Sequence, residues 1–142
     1  MAASLHHVHL FASDLDATIA WWRDMLGAEI AFDGPFGGAR NVFMRVGSGR
    51  LHLYDQKPRG AAGAADGKGS GGAMHHVGIK CEGLAGLVGR MAGRGVAFRS
   101  PIREFGSWRY IMCAAPDGVL LELFEIDADA MPPALAAYFA GG

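Results

Sequence analysis

The sequence has almost no net charge: 13 Lys and Arg stand against 14 Asp and Glu, leaving −1 at pH 7 over 142 residues. Without a basic excess there is no electrostatic footprint for nucleic acid or for an anionic membrane surface. No apolar run approaches the roughly 20 residues that a membrane span requires. The first residues carry no basic stretch ahead of an apolar core, so no secretory leader is expected and a cytoplasmic location is. Cysteine is scarce. Cys81 and Cys113 sit in strand-like runs without paired spacing, which predicts reduced, apolar side chains and no disulfide. Large apolar residues are nearly missing from 57–72, a Gly- and Ala-rich stretch that cannot bury a face and reads as a flexible connector. The rest is ample: 51% hydrophobic and 19% charged residues are enough for one ordinary globular domain.

What is present is a sequence written twice. His6-His7-Val8-His9-Leu10 returns as His75-His76-Val77-Gly78-Ile79, and Arg50-Leu51-His52-Leu53-Tyr54-Asp55 is echoed by Leu120-Leu121-Glu122-Leu123-Phe124-Glu125. A spacing of about 70 that occurs only twice is too long for a solenoid and indicates a pseudo-symmetric pair of modules.

Each copy reads as βαβββ. In module one (5–56) a strand over 5–12 is followed by Ser13 and Asp14 as capping oxygens. Leu15, Ile19, Trp22, Met25 and Leu26 then recur at helical spacing until Gly27. Strands are expected at 28–32, 41–46 and 50–55, with a Gly/Pro loop at 33–38 and a tight turn at 47–49. Module two (73–126) repeats the order. A strand spans 74–80, Leu84, Leu87, Val88 and Met91 form a helix broken by Gly93-Arg94-Gly95, and strands follow at 96–99, 108–114 and 119–125. In the tail (127–142), Pro132-Pro133 opens a short helix over 134–139, expected to pack on the domain or contact a second copy. The fold class is therefore α+β, two tandem βαβββ modules, each with one helix-covered sheet face and one open face.

Strand alternation sorts the polar side chains. His52 and Tyr54 lie opposite Leu51 and Leu53, Glu122 lies opposite Leu121 and Leu123, His7 opposes Val8, and His76 opposes Val77. All four metal-competent candidates, His7, His52, His76 and Glu122, fall on the open faces. Three imidazoles and one carboxylate suit a borderline divalent ion such as Zn, Ni, Fe, Mn or Co, leaving room for a substrate or water. His9 shares the face of His7 and is a candidate for orienting substrate, with Tyr54, Arg109 and Tyr110 as weaker pocket residues. His6 and His75 are expected to point away, Trp21 and Trp22 to pack in the core, and the loops 34–38 and 100–106 to connect or form a lid.

The chain resembles the vicinal oxygen chelate superfamily, which includes glyoxalase I, methylmalonyl-CoA epimerase, fosfomycin-resistance and bleomycin-resistance proteins, and extradiol dioxygenases. The resemblance runs from Leu5 to Ile126. It is carried by His7 ahead of Asp14-Leu15, by Trp21-Trp22-Arg23-Asp24-Met25-Leu26-Gly27, by His76, and by Pro116-Asp117-Gly118-Val119-Leu120-Leu121-Glu122-Leu123. It implies sheets curved around a metal-binding cleft, formed within one chain or across two, and a homodimer. It places His7, His76 and Glu122 on family ligand positions and His52 where relatives have Glu or Gln. The expected activity is lyase or isomerase chemistry on a small carbonyl substrate, in which an ion holding neighbouring oxygens favours an enediolate. Glu122 would be the base and His52 a ligand or assistant. Two alternatives stand: Fe(II)-dependent extradiol cleavage with His7, His76 and Glu122, and a metal-free protein of the bleomycin-resistance kind that sequesters a ligand.

Overall fold

The first helix begins where the sequence offers it a cap. Asp14 has extended backbone, and its side chain accepts the Ala17 N–H at 3.0 Å, which starts α1 (Leu15–Leu26). Gly27 adopts φ 68° and donates its N–H to the Arg23 carbonyl, a left-handed stop that a residue with a Cβ takes only under strain. Leu15, Ile19, Trp22 and Met25 form the buried stripe of α1, with Trp22 only 2% exposed. Trp21, expected beside it in the core, is half-buried.

The computed structural model describes residues 2–57 and 73–140. The chain divides into two units, Met1–Gly60 and Ala61–Gly142. In the first, β1 (Val8–Ala12), β2 (Glu29–Phe36), β3 (Ala39–Val46) and β4 (Gly49–Asp55) form one sheet in the order β1-β4-β3-β2. The β1–β4 pair is parallel and the others are antiparallel, so the sheet is mixed. Val42, Met44, Leu51 and Leu53 are buried on the helix-covered face. The second unit repeats this with β5 (Val77–Lys80), α2 (Leu84–Gly93), β6 (Arg103–Phe105), β7 (Trp108–Ala114) and β8 (Leu120–Ile126), ordered β5-β8-β7-β6. Here Ile111, Cys113, Leu121 and Leu123 are buried with Leu84 and Met91 of the helix. The α+β class and the paired βαβββ modules are as the sequence predicts.

Several boundaries differ. The loop expected at 33–38 is mostly strand: β2 runs through Phe36, and only Gly37 and Gly38 turn. Pro35 is tolerated because β2 is an edge strand. Arg40 grips both Asp33 carboxylate oxygens at 2.8 Å and reaches Asp16 on α1. Buried Asn41 donates to the Phe36 and Ala39 carbonyls across the turn. The strand expected at 96–99 does not form. The second strand of module two is β6, within the segment expected to be a loop at 100–106, where Arg103 pairs with Tyr110 and Phe105 with Trp108. Neither loop is therefore a free lid.

Residues 58–72 of the expected connector lie outside the described residues. The tail forms α3 (Pro133–Phe139). Phe139 packs edge-on against Trp108 at 5.0 Å, and its carbonyl accepts from Lys80 Nζ. Tyr138, on the same helix, is 78% exposed. No helix among the described residues is long and apolar enough to cross a membrane.

Candidate metal centre

In module one the register His9↔His52 between β1 and β4 sets the site. His7 stands one residue before β1, not within it as alternation predicted. Its ring nevertheless stacks on His52 with centroids 3.7 Å apart and planes 13° apart. On its other side His52 stacks on Phe43, at 3.8 Å and 20°, as the Phe43↔His52 register requires. Partial burial, together with His7, His9 and His6, holds the His52 imidazole below its ordinary pKa. Burial and His7 act on His9 in the same direction. Both effects favour the neutral ring, the form that can donate to a metal.

His6 does not point away. Its Nδ1 lies 3.1 Å from His7 Nδ1, and the donor atoms of His6, His7 and His52 all fall within 4.8 Å of one another. The period-2 argument failed here because extended ladder geometry begins only at Val8. The His-His doublet in both copies was the available signal.

In module two the parallel register Gly78↔Glu122 places the carboxylate where module one has His52. His76 again precedes its strand by one residue. Its Nε2 lies 2.8 Å from Glu122 Oε2, and the Trp108 indole N–H donates to Oε1 at 3.0 Å. Trp108 is held flat against Phe124, centroids 4.3 Å apart and planes 8° apart. The sequence reading assigned Trp108 no role. Its signal was its register: it lies two positions from Tyr110, on the face that also carries Glu122. His75, also expected to point away, has its Nδ1 2.8 Å from His76 Nδ1.

The pocket candidates separate. His9 and Tyr54 adjoin His52, with His9 centroids 6.4 Å from His52 and 5.7 Å from Tyr54. Tyr110 shares the Glu122 face by register. Arg109 does not. It alternates onto the opposite face, where Nη1 binds Glu125 at 2.5 Å and Nε approaches Glu104 at 3.3 Å. Glu125 in turn accepts the Leu84 N–H at 2.9 Å, capping α2. Arg109 is committed to that structural chain, which removes it from the pocket.

The donor chemistry fits a divalent ion. Adjacent ligands at about 2.1 Å from an octahedral ion stand roughly 3 Å apart, close to the His76–Glu122 separation. The histidine donors of module one are near enough to share an ion as well.

The family model described as Glyoxalase/Bleomycin resistance protein/Dioxygenase superfamily matches residues 4–123. Among solved structures, the genomically encoded fosfomycin resistance protein FosX from Listeria monocytogenes is similar with a TM-score of 0.70 at 18% identity, covering 92% of this chain and 98% of that one. A glyoxylase/bleomycin resistance protein/dioxygenase domain from Frankia sp. EAN1pec gives 0.71 at 19%, covering 89% and 100%. A glyoxalase family protein from Enterococcus faecalis gives 0.70 at 22%, covering 86% and 97%. The Listeria protein has also been solved with Mn(II) and sulfate. No curated protein matches the chain. At these identities the structural likeness establishes the fold.

Proposed function

Because the chain belongs to the Glyoxalase/Bleomycin resistance protein/Dioxygenase superfamily, we propose that it is a divalent-metal-dependent enzyme acting on a small carbonyl compound by lyase or isomerase chemistry. The observation that carries this reading is the His76–Glu122 pair. A partly buried carboxylate rests against an imidazole at 2.8 Å, while an indole N–H fixes its second oxygen. His7 and His52 of module one and His76 and Glu122 of module two supply the donors, and the ion is Zn, Ni, Fe, Mn or Co. Mn(II) in the Listeria relative supports a divalent ion in this fold.

When bound, the ion polarises a substrate oxygen and so acidifies the neighbouring C–H. Glu122 takes that proton and returns it. Trp108 fixes Oε1 and so holds the carboxylate in one orientation, with Oε2 toward His76 Nε2. His52, kept neutral, assists by accepting a proton or by donating to the ion. Phe43, Phe32 and Phe36, with ring centroids 5.1 and 5.8 Å from Phe43, form an apolar wall beside His52. Two copies of the chain are expected to pair in the cytoplasm.

A second reading has its own support. His52 lies stacked between two rings, so it can stand aside as packing and leave His7, His76 and Glu122, a donor set suited to Fe(II) and oxygen. Assay of the metal-loaded protein distinguishes the readings. Oxygen-independent turnover of a hemithioacetal with Zn, Ni, Co or Mn supports the first. Oxygen uptake with a catechol and Fe(II), and no hemithioacetal turnover, supports the second and contradicts the first.

A further inference from the structure

We propose that His6 and His75 are positioning residues: each accepts the Nδ1–H of the histidine that follows it, so that Nε2 of His7 and of His76 is presented as a metal donor. The inference rests on the assignment of His7 and His76 as ligands.

The same contact occurs twice. Nδ1 of His6 meets Nδ1 of His7 at 3.1 Å, and Nδ1 of His75 meets Nδ1 of His76 at 2.8 Å. Ring planes cross at 85° and 81°, so in each pair one nitrogen edge meets the other instead of stacking. One proton must lie between two such nitrogens. A histidine that coordinates through Nε2 has its only proton on Nδ1, and that proton needs an acceptor. Such acceptors fix the ring's orientation and tautomer and raise its donor strength. An adjacent histidine is an unusual acceptor, and an isolated contact between exposed rings would carry little weight. Its recurrence at equivalent positions of two modules that otherwise differ is what gives it weight.

In module two the same His76 ring is engaged at both nitrogens: Nδ1 meets His75 Nδ1 at 2.8 Å and Nε2 lies 2.8 Å from Glu122 Oε2, so the doublet and the carboxylate together fix its orientation.

The test is Zn(II) affinity of the full chain, by competition with a chelator, for His6→Phe, His75→Phe, His6→Asn and His75→Asn. Phe keeps a ring and removes the acceptor, whereas Asn places an oxygen near the Nδ1 position. Each Phe variant should bind Zn(II) roughly 10- to 100-fold more weakly, and each Asn variant should recover most of that loss. In the Zn(II)-loaded protein, two slowly exchanging imidazole Nδ1–H resonances should appear. The one assigned to His7 should vanish in His6→Phe and the one assigned to His76 in His75→Phe. Wild-type affinity in both Phe variants, or Asn variants as weak as Phe, overturns the inference; the latter result for His6 would make it a ligand itself. If instead His7→Ala and His76→Ala bind Zn(II) as wild type does, the ligand assignment fails, a result distinct from those.

Discussion

The two modules share a fold and differ at the candidate donor positions each carries. The second residue of the parallel strand is His9 in module one and Gly78 in module two. A Cβ at Gly78 would lie in ordinary van der Waals contact with the Phe124 ring at 3.5 Å, and that ring is stacked on Trp108. The residue opposite is His52 in one module and Glu122 in the other. An imidazole is held there by ring stacking, on Phe43 and His7. The carboxylate is held by a hydrogen bond from an indole. The duplication supplied the same backbone position twice, and the surroundings differ with its occupant: stacked rings around the His52 imidazole, an indole donor on the Glu122 carboxylate.

The helices differ in the same manner. α1 carries its own cap in Asp14, whereas α2 begins at Gly83, which has no capping side chain, and borrows the Glu125 carboxylate from β8. Module one's helix is locally specified; module two's depends on a contact 41 residues away.

The largest expected effect tests whether α1 anchors its module through Trp22. Trp22→Ala should cost about 3–5 kcal/mol by denaturant unfolding. A loss below ~1 kcal/mol would mean that the helix is not the anchor. At the site, Glu122→Gln should weaken Zn(II) binding more than roughly 100-fold. Trp108→Phe, which keeps the stack and removes the indole N–H, should weaken it about tenfold. Wild-type affinity in Trp108→Phe would show that Trp108 acts by packing and not through its N–H.

The two caps give a smaller, paired prediction. Asp14→Ala should cost about 1 kcal/mol. Glu125→Gln should cost at least as much, because it also leaves Arg109 facing a neutral partner. A negligible effect at Glu125 would return α2 to local control.

The smallest effect concerns pH. Burial, with Glu125 nearby, pushes the Cys81 thiol up to about 11, and burial alone does the same for Cys113. Folded thiols that hold their protons more tightly than unfolded ones stabilise the fold below pH ~9, and that contribution fades as pH rises towards 11. Thermal unfolding should show a modest decline over that interval, and the native protein should resist alkylation at pH 8. Rapid modification at pH 8 would contradict the burial argument.

Most of the fold was legible because period and punctuation agreed. The apolar stripe from Leu15 to Met25 between Asp14 and Gly27 admits one reading, and Leu51/Leu53 and Leu121/Leu123 fix the buried faces of β4 and β8. The failures lie where local chemistry and pairing disagree. Asp33-Gly34-Pro35 is turn chemistry by composition, but the bidentate Arg40 pair keeps it as an edge strand. Val96–Arg99 has strand composition and no partner, whereas Arg103–Phe105 gains one in β7. Of the site, alternation found His52 and Glu122 within their strands. It could not place His6 and His75, which precede the ladders, and it could not foresee that Arg109 would be drawn to Glu125 on the other face.

The central claim is that His7 and His52 in one module and His76 and Glu122 in the other are metal donors. Elemental analysis of chelator-free protein beside His7→Ala and Glu122→Ala tests it most directly. About one divalent ion per chain is expected in the unaltered protein, and neither variant should retain it. Full metal content in both variants would contradict the claim.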